Sequence, residues 1–294
     1  MGDPAARKWM ADKYNAFIKR NGIDCYRQDF NMGPLPWWEQ NDEEGRRGLN
    51  ENFHVQGYYA FWDDLLKEND GLLIDSCASG GRRNEYNTMK RSVPFHYTDF
   101  AYGDPPVKDA YTSVMFSWIP FFRNHTLSRP WEKEDFRVNN GNYAFHTAFA
   151  PCIQGMLLSA PIEKITETDI AEYKKNVALW RRAAKYTFSG DFYPLTPYSK
   201  SENDWCVWQF HDEEKEEGVL NAVRHLGKTA PETLTVFLKR VDEKALYCID
   251  CPEGRGTDKT FIHSGKTLQK EGLTLTLSAG SGTYVFYHKI RKDL

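Results

Sequence analysis

Apolar positions along the chain follow two regimes that change near Gly190. Before it, stretches with apolar residues three and four apart alternate with short continuous apolar runs; after it, apolar and polar positions alternate in short segments bounded by Gly, Asp, Pro and Lys. The first regime is that of helices and buried strands in a parallel sheet or barrel, the second that of an antiparallel sheet.

Asp3-Pro4 predicts a helix running to about Arg20, since aspartate accepts from first-turn amides and proline fits the first turn. Trp9, Met10, Tyr14, Phe17 and Ile18 recur at helical spacing, and Asn21-Gly22 ends it. Ile23 to Tyr26 reads as a short buried strand that delivers Asp29, and Gly33 to Trp38 as a loop too rich in proline and glycine for regular structure. After a polar stretch from Glu39 to Asn52, a helix is expected over Phe53 to Glu68, with Phe53, Tyr58, Phe61, Trp62, Leu65 and Leu66 inward. Gly71 to Cys77 then reads as a strand, Asn87 to Lys90 as a short helix, and Ser92 to Asp99 as another strand. Val114 to Phe122 is a third continuous apolar run, and Phe145 to Leu158 contains one more. Thr168 to Tyr186 is an amphipathic helix with an acidic first turn.

Beyond Gly190 the expected strands are Trp205 to Phe210, Gly218 to Arg224, Thr233 to Leu238, Ala245 to Ile249, Leu273 to Leu277 and Thr283 to Tyr287, as an antiparallel sandwich requires. The charged run Asp212 to Glu217 reads as a solvated hairpin loop. Two domains are therefore expected, residues 1 to about 190 and 191 to 294.

Composition narrows the function. With 294 residues and 40% hydrophobic positions the chain can build a real core, and a net charge of −3 offers no basic stripe for nucleic acid or an anionic membrane. No apolar run reaches about 18 residues, and Met1 to Arg20 is too polar for a signal or anchor, so a soluble, cytoplasmic chain is expected. Six cysteines scattered over so long a chain argue against a disulfide framework, and the lone pair Cys248-Ile-Asp-Cys251 reads as two strand cysteines flanking a turn. His96, His125 and His146 are isolated, without ligand spacing, so no metal ligand is assigned among them.

The chemistry concentrates in two segments, Arg27-Gln28-Asp29-Phe30-Asn31 and Ser92 to Asp99, each carrying an aspartate at the end of an apolar run. In a β/α barrel the strand ends are where catalytic side chains converge. Two such carboxylates suit retaining glycoside cleavage: one attacks the anomeric carbon while the other, about 5 to 5.5 Å away, protonates the leaving oxygen.

This stretch resembles the α-galactosidases of glycoside hydrolase family 36. Arg27-Gln28-Asp29-Phe30-Asn31 stands where that family has a nucleophile motif Lys-Trp-Asp-x-Asn. Cys77 to Glu85 stands where it has a cysteine- and glycine-rich turn ending in Arg-x-Asp, and His96-Tyr97-Thr98-Asp99 where its acid/base aspartate follows Trp-Thr-Ser. The resemblance implies Asp29 as nucleophile and Asp99 as general acid/base, with no metal or cofactor. It implies Asn31 as a donor to the sugar, its alternative role being an Asx turn, and the Cys77, Gly80, Gly81 turn as a wall of the sugar site or simply a tight connection. Arg83 is expected either at the substrate, or orienting the two aspartates, or paired with Glu85 or Asp75. Trp37, Trp38 and Trp118 are stacking candidates, core burial being the other reading of Trp118. Arg27 keeps the charge of the family's lysine but not its shape.

In the family the nucleophile lies on the fourth barrel strand, and only about 25 residues precede Asp29. The expected fold is therefore α/β, the C-terminal part of a (β/α)8 barrel with about five strands, followed by a β-sandwich. The chain is expected to be an incomplete copy, weak or inactive alone, completed by a missing N-terminal half or by a homo-oligomer. The expected substrate is an oligosaccharide or other terminal α-galactoside. An α-N-acetylgalactosaminidase, a transglycosylating synthase, and a non-catalytic carbohydrate-binding or scaffold remnant are the alternatives.

Overall fold

The computed structural model describes residues 1–78, 80–99, 103–119, 121–126, 141–155, 162–253 and 260–291. Ser79, Pro120 and residues 156–158, which figure in the expectations above, lie outside these. Packing divides the chain into two compact units, Met1–Phe100 and Ala101–Leu294.

In the first unit, helix α1 (Pro4–Asn21) starts at Asp3, whose carboxylate accepts from the Ala5 and Ala6 amides, and stops at Gly22, which is left-handed at φ 61°. Strand β1 (Cys25–Asp29) runs parallel to β2 (Leu73–Cys77), joined to it through α2 (Leu35–Asn41) and α3 (Leu49–Glu68). Tyr58, Phe61, Trp62 and Leu65 of α3 pack on Ala11 and Ile18 of α1 and on Ile74 of β2. The helix α4 (Tyr86–Met89) follows, capped by Glu85.

Four expectations change here. The Gly33–Trp38 segment is largely helical, since Pro36 occupies the first turn of α2, where a missing N–H costs nothing. Phe53 is 46% exposed, and Trp9 and Phe17 also face outward, so the apolar stripes of α1 and α3 are only partly covered. β1 is not a buried strand, because Cys25, Arg27 and Asp29 are exposed. Ser92 to Asp99 is not a strand either. It is bridged in parallel to Asp75 at Val93 and bridged again at His96, but Pro94, with no N–H, keeps the two from joining into a ladder.

In the second unit, α5 (Pro105–Trp118) takes up most of the apolar run Val114 to Phe122, capped by Asp104 with prolines in its first turn. The run is apolar enough for a strand, but it continues a helix already started. Short β3 (Arg123–His125) pairs in parallel with β4 (Cys152–Gln154), which follows α6 (Asn142–Thr147). α7 (Glu167–Ala184) begins with a capping box between Thr166 and Asp169, and the one-turn helix α8 (Tyr186–Ser189) leads to β5 (Asp191–Pro194).

The remaining strands are β6 (Trp205–Asp212), β7 (Glu217–Arg224), β8 (Thr233–Val236), β9 (Leu246–Asp250), β10 (Thr260–Ser264), β11 (Leu273–Thr276) and β12 (Ser281–Lys289), with α9 (Gly265–Lys270) after β10. Five of them join β5 in a six-stranded antiparallel sheet in the order β10-β9-β12-β7-β6-β5, and β8 pairs with β11. Alternation along the central strands sorts side chains to two cores. Val207, Leu220, Tyr247, Ile249, Val285 and Tyr287 meet Val236, Leu273 and Leu275 of the small pair, as in a sandwich. Trp208, Phe210, Val219, Tyr284 and Phe286 meet Ala183, Ala184 and Tyr186 on the helical side. Covered on both faces, β6, β7 and β12 are buried along nearly their whole length.

Candidate active site

Parallel register sets the geometry of the first unit. Arg27 lies opposite Asp75 and Asp29 opposite Cys77, so the nucleophile candidate sits beside the first residue of the glycine turn, and the Phe30 amide donates to the Cys77 carbonyl at 3.2 Å. Val93 is bridged to β2 by the Val93 amide on the Ile74 carbonyl (2.8 Å) and the Ser76 amide on the Val93 carbonyl (3.1 Å). Residues 94–99 therefore leave the sheet at the same carboxyl ends as Asp29, where ligands of parallel sheets bind.

The turn itself is shaped for Asp99. Gly80 and Gly81 are left-handed, at φ 66° and 85°, and a Cβ on Gly80 would overlap the amide and carboxyl group of Asp99, as one on Gly81 would overlap the Tyr97 carbonyl. Asn84 adds a hydrogen bond from Nδ2 to the same Tyr97 carbonyl at 3.1 Å. Asp29, Cys77, Gly80, Gly81 and Asp99 thus border one turn.

Strand alternation separates the neighbours of Asp29. Tyr26 and Gln28 point to α3, where Trp62 Nε1 donates to Gln28 Oε1 at 3.0 Å. Arg27 and Asp29 point the other way. The Arg27 guanidinium contacts Asp75 at 2.5 Å and lies 3.6 Å from Asp29, an ion pair with Asp29 but not a hydrogen bond. Partial burial opposes its charge, yet the bond to Asp75 raises its pKa further. Asp99 is bonded to His96 Nε2 at 2.8 Å.

Arg83 pairs with neither expected acid. Asp75 is taken by Arg27, and Glu85 caps α4 and accepts from Tyr59 at 2.8 Å. Instead the Arg83 guanidinium stands 4.4 Å above the Phe30 ring and 5.7 Å from that of Tyr58. Trp38 is half-buried with its ring 5.1 Å from His54, whereas Trp37 and Asn31 are exposed. Trp118 ends α5 at 82% exposure, so core burial is ruled out for it.

Sequence reasoning treated Asp75 only as a partner for Arg83, yet it organises the site. At 5% exposure it accepts from Arg27 through Oδ2 and from the Phe95 amide through Oδ1 at 3.0 Å, tying β1 to the segment that carries Asp99. The available signal was a lone acid inside the apolar run Leu-Leu-Ile-Asp, since an unpaired aspartate is almost never buried.

Residues 205–287 match the description of the glycosyl hydrolase family 36 C-terminal domain. That stretch is similar to the C-terminal portion of family 36 enzymes. The α-galactosidase Mel36A of Lactobacillus acidophilus is 21% identical over 268 residues, which cover 90% of this chain and 34% of that protein. The fold is shared more widely. The solved α-galactosidase of Lactobacillus brevis superposes with a TM-score of 0.75 at 15% identity, covering all of this chain and 39% of its own. The family 36 α-galactosidase AgaA of Geobacillus stearothermophilus gives 0.74 at 16% identity in a complex with stachyose and 0.68 at 17% in one with raffinose, each covering 98% of this chain and 39% of AgaA. The chain thus spans about a third of the length of Mel36A. No helix among the described residues is long and apolar enough to cross a membrane.

Proposed function

We propose that Asp29 and Asp99 are the nucleophile and the general acid/base of a retaining α-galactosidase site. The carboxylate of Asp29 attacks the anomeric carbon while Asp99 gives its proton to the leaving oxygen as that C–O bond breaks. In the second step Asp99 takes a proton from water, whose oxygen displaces Asp29 from the sugar. Arg27, itself held by Asp75, places its guanidinium 3.6 Å from the Asp29 carboxylate. Asn31, Arg83, Cys77, Gly80 and Gly81 line the sugar, with Trp38 as a stacking surface.

The observation that carries this reading is the one turn, Cys77 to Gly81, bordered by Asp29 at one end and by Asp99 at the other. The AgaA complexes add support: the aspartates replaced in the stachyose and raffinose structures are as far apart in that chain as Asp29 and Asp99 are here. Each unit by itself holds a parallel pair with helices between its strands, β1–β2 in the first and β3–β4 in the second, as pieces of a (β/α)8 barrel do.

The ion pair of Asp29 with Arg27 and the bond of Asp99 to His96 favour a second reading, a carbohydrate-binding remnant in which both acids are structural. One experiment separates the two. The catalytic reading expects weak but measurable release of p-nitrophenol from p-nitrophenyl α-galactoside, lost in Asp29→Ala and partly restored by azide, which replaces the missing nucleophile. Turnover unchanged in Asp29→Ala, or galactose binding with no turnover at all, supports the remnant.

A further inference from the structure

The second unit encloses a polar cavity that the reading above does not use. It is lined by Asp109 and Ser113 of α5, by Thr196, Ser199 and Asp204 from the segment between β5 and β6, and by His225 just after β7. Asp109 is 1% exposed, and among the described residues neither of its carboxylate oxygens has a hydrogen-bond partner. His225 Nε2 is 3.6 Å from Oδ2, too far for a hydrogen bond, and its Nδ1 is engaged by the Tyr143 hydroxyl at 2.9 Å. Burial pushes His225 down to about 4, so it brings no positive charge at neutral pH. Lys108, next along the helix, is turned to the His125 carbonyl at 3.1 Å, so its charge only partly offsets the burial that pushes the Asp109 carboxyl well up. Asp204 is a second acid in the lining, and none of the residues lining the cavity is lysine or arginine.

A buried carboxylate without donors is strongly disfavoured unless something compensates it. The cavity has room for a single water-sized occupant beside Asp109. Beside apolar Ala110, Pro197, Trp205 and Trp208, its polar lining is mostly carboxylate and hydroxyl oxygen, the donor type of hard cations. We propose that this cavity binds one small monovalent cation, stripped of most of its water, against the Asp109 carboxylate.

The test is thermal unfolding of the whole 294-residue chain in sodium, potassium or ammonium chloride against N-methylglucamine chloride at equal ionic strength. The expected result is a saturable rise in Tm of about 2–4 °C with one or more of the small cations and none with the bulky one. The cation giving the largest rise is the occupant. Asp109→Asn should abolish the response. Should that variant fail to fold, sodium-23 relaxation on the unaltered chain, with displacement by the competing cation, serves instead. Equal Tm in all salts overturns the proposal, as does a response kept in folded Asp109→Asn or sodium relaxation no different from that of free ion. Equal Tm in all salts together with a more stable Asp109→Asn would mark Asp109 as a protonated acid bound to water only.

Discussion

The two units spend their polar residues differently. In Ala101–Leu294 the central strands β6, β7 and β12 are covered on both faces, and their side chains are nearly all core. In Met1–Phe100 the strand β1 alternates exposed and half-buried residues and ends in charge at Asp29, which Arg27 links to Asp75 in the middle of β2. A strand sealed on both faces can only stabilise, whereas one that leaves a face open can hold carboxylates where a ligand reaches them. The family 36 likeness fits this division: the domain match falls on residues 205–287, which form the sealed sheet, while the candidate chemistry lies before residue 100.

The comparison is broken most forcefully by removing a large side chain from the sealed sheet. Trp208, 1% exposed between Phe210 and Phe116, should cost about 3–5 kcal/mol as Trp208→Ala, measured by urea unfolding. A cost under about 1 kcal/mol would mean that this face is not packed as described. Next comes Gly81→Ala, expected to lose about 3 kcal/mol, because it adds both a left-handed alanine and an overlap with the Tyr97 carbonyl. Since that overlap moves the Asp99 segment, any turnover should fall more than stability does.

Asp75→Asn sharpens the contrast in the open unit. It keeps an acceptor for the Phe95 amide but removes the charge that holds Arg27, so about 2 kcal/mol should be lost, a figure already lowered because Arg27 is 41% exposed. A double-mutant cycle with Arg27→Met should return most of that loss as coupling energy. Coupling near zero would show that Asp75 serves the Phe95 amide alone.

What was legible in the sequence follows the same division. The antiparallel strands were readable because period two and turn residues agree, and β6 to β9, β11 and β12 lie within a few residues of their expected places. The Asp3-Pro4 start of α1 was equally plain. The same signal, Asp104-Pro105-Pro106, stood before the apolar run Val114 to Phe122 and would have marked it as helix; continuous apolarity alone does not separate a helix from a buried strand. Proline misled twice in opposite senses, hiding α2, where it fits the first turn, and failing to cut the strand expected over Ser92 to Asp99. The candidate site residues rest on the resemblance, and the role of Asp75 was not readable, because its second partner is a backbone amide brought near only by folding.

The smallest expected effect compares one histidine from each unit. His54 and His225 are both pushed from 6.5 down to about 4, chiefly by burial, with Arg83 adding to His54 and Lys108 opposing the charge on His225. A folded-state value below the unfolded one means that the unfolded chain takes up the proton first as pH falls. The neutral forms therefore contribute stability that is whole above pH 6.5 and is lost as pH falls toward 4. His225, 3% exposed, should account for on the order of 2 kcal/mol of that loss, and half-buried His54 for clearly less. Urea unfolding between pH 7 and 4 should therefore lose most of its acid slope in His225→Gln and only a little in His54→Gln. The opposite order would mean that the open unit, not the sealed one, excludes water more completely around its histidine, and the contrast drawn between them would fail at its weakest point.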